Sequence, residues 1–184
     1  MMTGTPGDRR RLLCGLLALG STMAVAHPAA GGEAAGRVSL QLRVGGRVQR
    51  DVLLTPETLG DFAKVTIADT PLRGRTGDTL RVLSGYSGIR LTDLLDKAQI
   101  VARDHNDLKK TIVVATATDD YKAVFSWNEL YNTSVGEGVY VLVTKEGKPL
   151  GDEEGRFALI SLQDSKTGPR HVRWLADIRA SLVE

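Results

Sequence analysis

The sequence predicts a β-rich α+β domain with mixed sheets and two or three short helices. Three observations carry that reading. Apolar and polar residues alternate with a period of two through several short segments. Only one stretch, residues 91–100, holds a helical period over more than two turns. Glycine- and aspartate-bearing turns punctuate the segments between them. The chain has 184 residues, 42% of them hydrophobic, which suits one domain with a sizeable core.

Along the chain, Val38, Leu40, Leu42 and Val44 alternate onto one strand face, and Gly45-Gly46 predicts a tight hairpin turn. Val48 to Leu54 then returns as a second strand. Thr55-Pro56-Glu57 reads as a helix start, with Thr55 as cap and Pro56 at the first helical position. Lys64 to Asp69 reads as a strand and Pro71 to Asp78 as a polar loop. Leu91, Leu94, Leu95 and Ala98 place one apolar face on a helix from Leu91 to Ile100, with Thr92 and Asp93 near its start. Ile112 to Ala117 and Lys122 to Ser126 read as strands joined through Asp119-Asp120, and Trp127 to Tyr131 as a brief helix in which Trp127 packs. Val139 to Thr144, Arg156 to Leu162 and His171 to Ser181 complete the strands, with turns at Glu146-Gly147 and Gly168-Pro169. Asp152-Glu153-Glu154 reads as a solvated acidic turn.

Residues 1–26 read as an export signal. Arg9, Arg10 and Arg11 precede an apolar stretch from Leu12 to Ala26 that ends in Ala24-Val25-Ala26, a small-x-small cleavage pattern. The paired arginines followed by two leucines also match part of a twin-arginine signal. Cys14 lies too early in the apolar stretch for lipidation. Residues 27–36 are small and flexible and read as a linker, leaving 37–184 as the domain. No apolar run reaches the roughly 18 residues of a membrane span.

Removing the first 26 residues takes away three arginines and one acid, Asp8. Of 24 basic and 22 acidic residues, 21 of each sign then remain, so general attraction to nucleic acid is not expected. The only cysteine, Cys14, leaves with the signal. A disulfide framework, a structural zinc site and Cys-x-x-Cys-His haem attachment are all excluded. His27, His105 and His171 share no metal-ligand spacing, and no nucleophile elbow or phosphate loop is present.

Three segments in order carry a resemblance. Gly88-Ile89-Arg90-Leu91-Thr92-Asp93-Leu94-Leu95-Asp96-Lys97-Ala98 is similar to the helix motif of the sulfite-oxidase-type molybdopterin-binding domain family. Ala117-Thr118-Asp119-Asp120-Tyr121-Lys122-Ala123-Val124-Phe125-Ser126 resembles its central strand pair. Gly155-Arg156-Phe157-Ala158-Leu159-Ile160, followed by Arg170-His171-Val172-Arg173-Trp174-Leu175 and Ile178, resembles its closing strands. The resemblance spans about Val38 to Ile178 and implies that family's fold. Redox members hold molybdenum through a cysteine thiolate in a loop that falls near Ile67 to Thr70, where this chain has Ala68 and Asp69. A soft thiolate ligand is therefore missing, and Asp69 offers only an oxygen. The chain is most like small exported, cysteine-free members that bind pterins and report occupancy to a membrane-anchored cyclic-di-GMP enzyme through its periplasmic domain.

The resemblance thus implies a periplasmic, non-catalytic protein whose ligand is a reduced pterin such as a tetrahydropterin, with no molybdenum cofactor. The alternatives are a molybdenum-cofactor oxidoreductase subunit with an unusual ligand, and a degenerate domain that binds only protein. A pterin calls for an aromatic face, fixed polar partners and a concave wall. Tyr121 is either a site residue or a half-buried hairpin tyrosine. Asp119 and Asp120 suit a turn, while Asp120 also offers a carboxylate for the pterin's amino and N–H edge. On a regular strand Arg170, Val172 and Trp174 face one way and His171 and Arg173 the other. Trp174 either stacks on the ligand or fills the core. Arg170 and Arg173 offer planar donor forks, as do Arg73, Arg75 and Arg81 near the displaced cysteine loop.

Overall fold

The computed structural model describes residues 38–183, so the export signal and the 27–36 linker lie outside the described residues. Two five-stranded sheets and one small hairpin make the domain. The first sheet has the order β2 (Val52–Leu54), β1 (Leu42–Gly46), β12 (Leu175–Leu182), β7 (Thr111–Ala117), β8 (Lys122–Ser126). All its neighbours are antiparallel except β1 and β12, which run parallel, so the sheet is mixed. The second sheet orders β10 (Lys148–Pro149), β9 (Val139–Lys145), β6 (Tyr86–Arg90), β3 (Val65–Thr66), with β11 (Ala158–Ser161) also paired to β9. β4 (Thr70–Arg73) and β5 (Thr79–Leu83) form a separate antiparallel hairpin.

The helix α1 (Leu91–Ala98) behaves as its spacing predicts. Leu91, Leu94, Leu95 and Ala98 are buried, and the helix packs against β1, β2, β6 and β9. It ends two residues early because Gln99 turns left-handed, φ 61°, and its N–H caps the Leu95 carbonyl. α3 (Trp127–Asn132) starts on a full capping box: Ser126 Oγ accepts from the Glu129 N–H while the Glu129 carboxylate accepts from the Ser126 N–H. Trp127 stacks on Tyr131 with centroids 5.1 Å apart, the packing role expected of it. α2 (His105–Lys109), capped by Asp104, and α4 (Ser134–Glu137), capped by Thr133, complete the helices.

The main core lies between the two sheets. It joins Leu42, Val44, Val113, Phe125 and Ile178 from the first to Ile89, Val141 and Leu159 from the second. A smaller core covers the opposite face of the second sheet, where Tyr86, Leu142 and Ile160 meet Leu72 and Leu83 of the β4–β5 hairpin and Leu150. β9 is therefore covered on both faces, and its first five residues, Val139 to Val143, are all buried. That accounts for their unbroken apolar run.

The structure departs from the sequence expectations at several elements. Gly45-Gly46 does not form the hairpin turn. Both belong to β1, because pairing with β12 carries the strand onward until the Arg47 N–H reaches the Ala180 carbonyl at 2.8 Å. Val38 and Leu40 precede the strand, and the second strand shrinks to Val52–Leu54 because Val48 bridges Ile100 instead. The helix expected after Thr55 is a single 3-10 turn, Thr58–Asp61. The Lys64 to Asp69 strand contracts to β3. The supposed loop from Pro71 to Asp78 is half strand, since Leu72 is buried and the Arg73 N–H bonds Thr167 Oγ1 at 2.9 Å. β5 and β6 escape the sequence reading, and the closing strand begins at Leu175 rather than His171.

Gly46 has φ 93°, and a Cβ there would drive into the Ala180 carbonyl oxygen. Gly77 has φ 97° with nothing near its Cβ position. Gly77→Ala is expected to cost about 1–2 kcal/mol, the left-handed penalty alone. Gly46→Ala adds an overpacking cost of roughly 1–3 kcal/mol and should lower the melting temperature clearly further. Equal shifts in the two variants would contradict the close β1–β12 approach.

Candidate functional site

The site is built where the β4–β5 hairpin, the β7–β8 turn and the segment before β12 converge. Gly168–Arg170 is a 3-10 turn. Gly168 lies so close to β4 that a Cβ would stand 2.7 Å from the Arg73 carbonyl oxygen. Thr167 Oγ1 adds a 3.2 Å bond to the Pro71 carbonyl, tying the two elements together.

Beyond the turn the chain does not run as a strand. Trp174 adopts φ 51°, its backbone N–H bonds the Glu154 carbonyl at 2.7 Å, and its indole N–H bonds the Asp152 carbonyl at 2.8 Å. A tryptophan in the left-handed region is strained, so the surrounding bonds must hold it there. This irregularity cancels the strict alternation expected from 170 to 174. Val172 is fully buried, Trp174 is 9% exposed, and the Arg173 guanidinium lies 4.5 Å above the Trp174 ring. His171 turns inward.

Its partner is Glu154, whose side chain is only 3% exposed. The solvated acidic turn expected at 152–154 is therefore wrong for its last member. His171 Nε2 stands 3.1 Å from Glu154 Oε2, and Arg81 of β5 pairs with Oε1. Tyr86 Oη of β6 lies 3.5 Å from the same Oε1. Neither His171 Nε2 nor Glu154 Oε2 has another hydrogen-bond partner among the described residues, so each buried atom has the other as its polar neighbour. Burial pushes the Glu154 carboxyl upward, but His171 and Arg81 outweigh it and hold it down to about 2. Burial and the neighbouring Glu154 raise the Tyr86 phenol.

Above this cluster opens a cleft of about 690 Å³. The hairpin contributes Leu72, Gly74, Arg75, Leu80 and Arg81. The β7–β8 turn contributes Asp119 and Tyr121, and the closing segment adds Gly168, Pro169, His171, Arg173 and Trp174. The Tyr121 hydroxyl donates to the Pro169 carbonyl at 2.7 Å, fixing a ring that is 46% exposed. Asp119 Oδ1 accepts from the Tyr121 N–H at 3.2 Å.

Tyr121, His171, Arg173 and Trp174 thus come together, with Arg75 and Arg81. Four other sequence candidates do not line the cleft. Asp120 sits at φ 68° and pairs with Lys122. Arg73 reaches back to the Gly77 carbonyl at 3.4 Å, and Asp69 is exposed between β3 and β4. Arg170 clamps Asp164 through two 2.6 Å bonds and Glu129 at 3.2 Å, with its guanidinium 4.5 Å over the Phe125 ring. It fastens the α3 cap to the 161–164 turn. Sequence reasoning missed Glu154, since nothing local distinguishes it from Asp152 and Glu153.

The donors around the cleft are guanidiniums, one imidazole, one phenol and carboxylates. No cysteine occurs in residues 38–183, and no three His, Cys, Asp or Glu side chains gather as a metal site among the described residues. This donor set does not fit molybdenum held through sulfur.

The depressed Glu154 carboxyl makes a signed prediction. Its ionised form is favoured in the fold, so its stabilisation is present above the ordinary carboxylate range and is lost as pH falls toward about 2. Glu154→Gln should cost on the order of 3 kcal/mol at pH 7. The gap between variant and parent should narrow from pH 5 to pH 2 in denaturant unfolding. A gap that stays constant with pH would contradict the ionised, buried cluster.

No protein-family description matches this sequence, and no curated protein does. Among solved structures, the sulfane dehydrogenase SoxCD from Paracoccus pantotrophus is similar with a TM-score of 0.54 at 18% identity. The match covers 78% of this chain but only 39% of that one. At this identity the likeness is one of fold, and the chain has the β-rich α+β fold of the sulfite-oxidase type that its sequence motifs resemble.

Proposed function

We propose that this protein is an exported, non-catalytic pterin-binding protein that reports occupancy of its cleft to a partner. The ligand is a reduced pterin such as a tetrahydropterin. The partner is the periplasmic domain of an inner-membrane signalling protein of the cyclic-di-GMP type. One observation carries this reading: an open cleft that offers an anchored aromatic face beside fixed polar groups and no thiolate. The Tyr121 ring is held by Pro169 and still half exposed, so it supplies a stacking surface at little entropic cost. Asp119, rather than Asp120, offers the carboxylate for the amino and N–H edge. Arg81 is oriented by Glu154 and presents guanidinium donors to ring carbonyl and nitrogen acceptors, while His171, held by the same carboxylate, lines the cleft beside it. The basic start, apolar stretch and Ala24-Val25-Ala26 of residues 1–26 support export.

The second reading is a molybdenum-cofactor oxidoreductase subunit with an unusual ligand, which the fold likeness to a dehydrogenase leaves open. Metal analysis of protein from its native host separates the two, because stoichiometric molybdenum would sink the first.

Tyr121 gives the cleanest binding test, since its side chain is far more exposed than Trp174's. Tyr121→Ala should weaken titrated binding of a tetrahydropterin by roughly thirtyfold while the melting temperature stays within a few degrees. Trp174→Ala should lower both, because the ring also fills space against Gly155. Unchanged affinity in folded Tyr121→Ala would remove the pterin reading's main support. For export, mass spectrometry of the processed protein should find an N-terminus close to His27, and a full-length cytoplasmic product would refute it.

A further inference from the structure

We infer that the free edge of β5 is a docking edge, at which an extended, acidic segment of a partner protein adds as a third strand beside the β4–β5 hairpin. β5 pairs only with β4 among the described residues. The hairpin's opposite edge is already closed, because the Arg73 N–H bonds Thr167 Oγ1 and Gly168 lies against the Arg73 carbonyl. Residues 79–82 are all exposed, and along them Leu80 is 66% and Val82 56% exposed. On a strand these two share one face, while Leu83 and Arg81 turn to the buried core and Glu154. A bare strand edge with apolar side chains is a template for pairing, which proteins commonly blunt unless it is used.

Charge selects the occupant. Arg73 and Arg75 belong to this hairpin, Arg75 and Arg173 line its cleft, and none of the three has a carboxylate within ion-pair distance among the described residues. An incoming strand with acidic side chains would supply those partners bidentately. A second copy suits the edge poorly, since antiparallel pairing centred on β5 sets Arg81 beside Arg81. The chain's own residues 27–36 are mostly alanine and glycine, poor strand formers with a single acid, Glu33.

Leu80 belongs to both features, lining the cleft and opening the exposed stripe. A ligand in the cleft therefore touches the strand on which the partner docks. This inference rests on the partner-reporting half of the proposed function and not on the ligand being a pterin.

The test places the photo-cross-linker p-benzoylphenylalanine at position 82 of the full chain in its native host. Position 124 serves as control, since Val124 is 50% exposed on β8 in the first sheet. The expected result is an adduct from position 82, absent from position 124, to an acidic stretch of a different protein. Adding that purified partner should slow amide exchange of residues 79–83 at least tenfold. No adduct, equal adducts from both positions, an adduct to a second copy or to residues 1–37, or unchanged exchange would each overturn the inference. Tetrahydropterin titration of the position-82 variant keeps the readings apart. An adduct without pterin binding discards only the ligand, and pterin binding without an adduct discards only the docking edge.

Discussion

A single buried carboxylate organises the cleft end of this domain. Glu154 is nearly inaccessible, and a charge so placed is tolerated only when its partners surround it. Those partners come from three separate elements: Arg81 from β5, Tyr86 from β6, and His171 from the segment before β12. Satisfying Glu154 therefore fixes the hairpin, the second sheet and the closing segment relative to one another. The left-handed Trp174 belongs to the same arrangement, because its backbone and indole N–H groups bond the carbonyls of Glu154 and Asp152. The local strain is held by hydrogen bonds on both sides of the residue.

The cleft follows from layering. The second sheet is covered on one face by the main core and on the other by the β4–β5 hairpin. The hairpin has only two strands, so it covers part of that face and leaves an open wall beside the β7–β8 turn. Apolar Leu72 and Leu80 line that wall on one side, and Tyr121 stands on the other. Charged groups reach the same space because Arg81 must meet Glu154 and because Arg75 and Arg173 flank the opening. An aromatic face, an apolar wall and oriented donors are what a flat polar heterocycle requires of a pocket.

The fold leaves the chemistry open, and the donor set bears only on how a metal could be held. A sulfur-held metal centre needs a thiolate that residues 38–183 do not contain. Stacking and hydrogen bonding need only the groups that the cleft already positions. The fold alone does not carry function from one protein to another, so the reading rests on these particular side chains.

The sequence by itself determined the elements whose signals are local. The α1 face is spelled by Leu91, Leu94, Leu95 and Ala98, and the β7–β8 pair by alternation around Asp119-Asp120. Tyr121 and Trp174 were also candidates, because the resemblance implies a pterin and a pterin calls for an aromatic face. What only the tertiary structure decided is which charges are buried and which way the closing segment faces. Glu154 reads no differently from Asp152, yet Arg81, 73 residues away, and His171 draw it inward. Arg170 reads as a ligand donor, yet Asp164 and Glu129 claim it. β5 carries no inward apolar stripe of its own and exists because β4 pairs with it. Local propensity acts through neighbours in the chain, whereas the cost of burying a charge is settled by whichever partners the fold brings within a few ångströms.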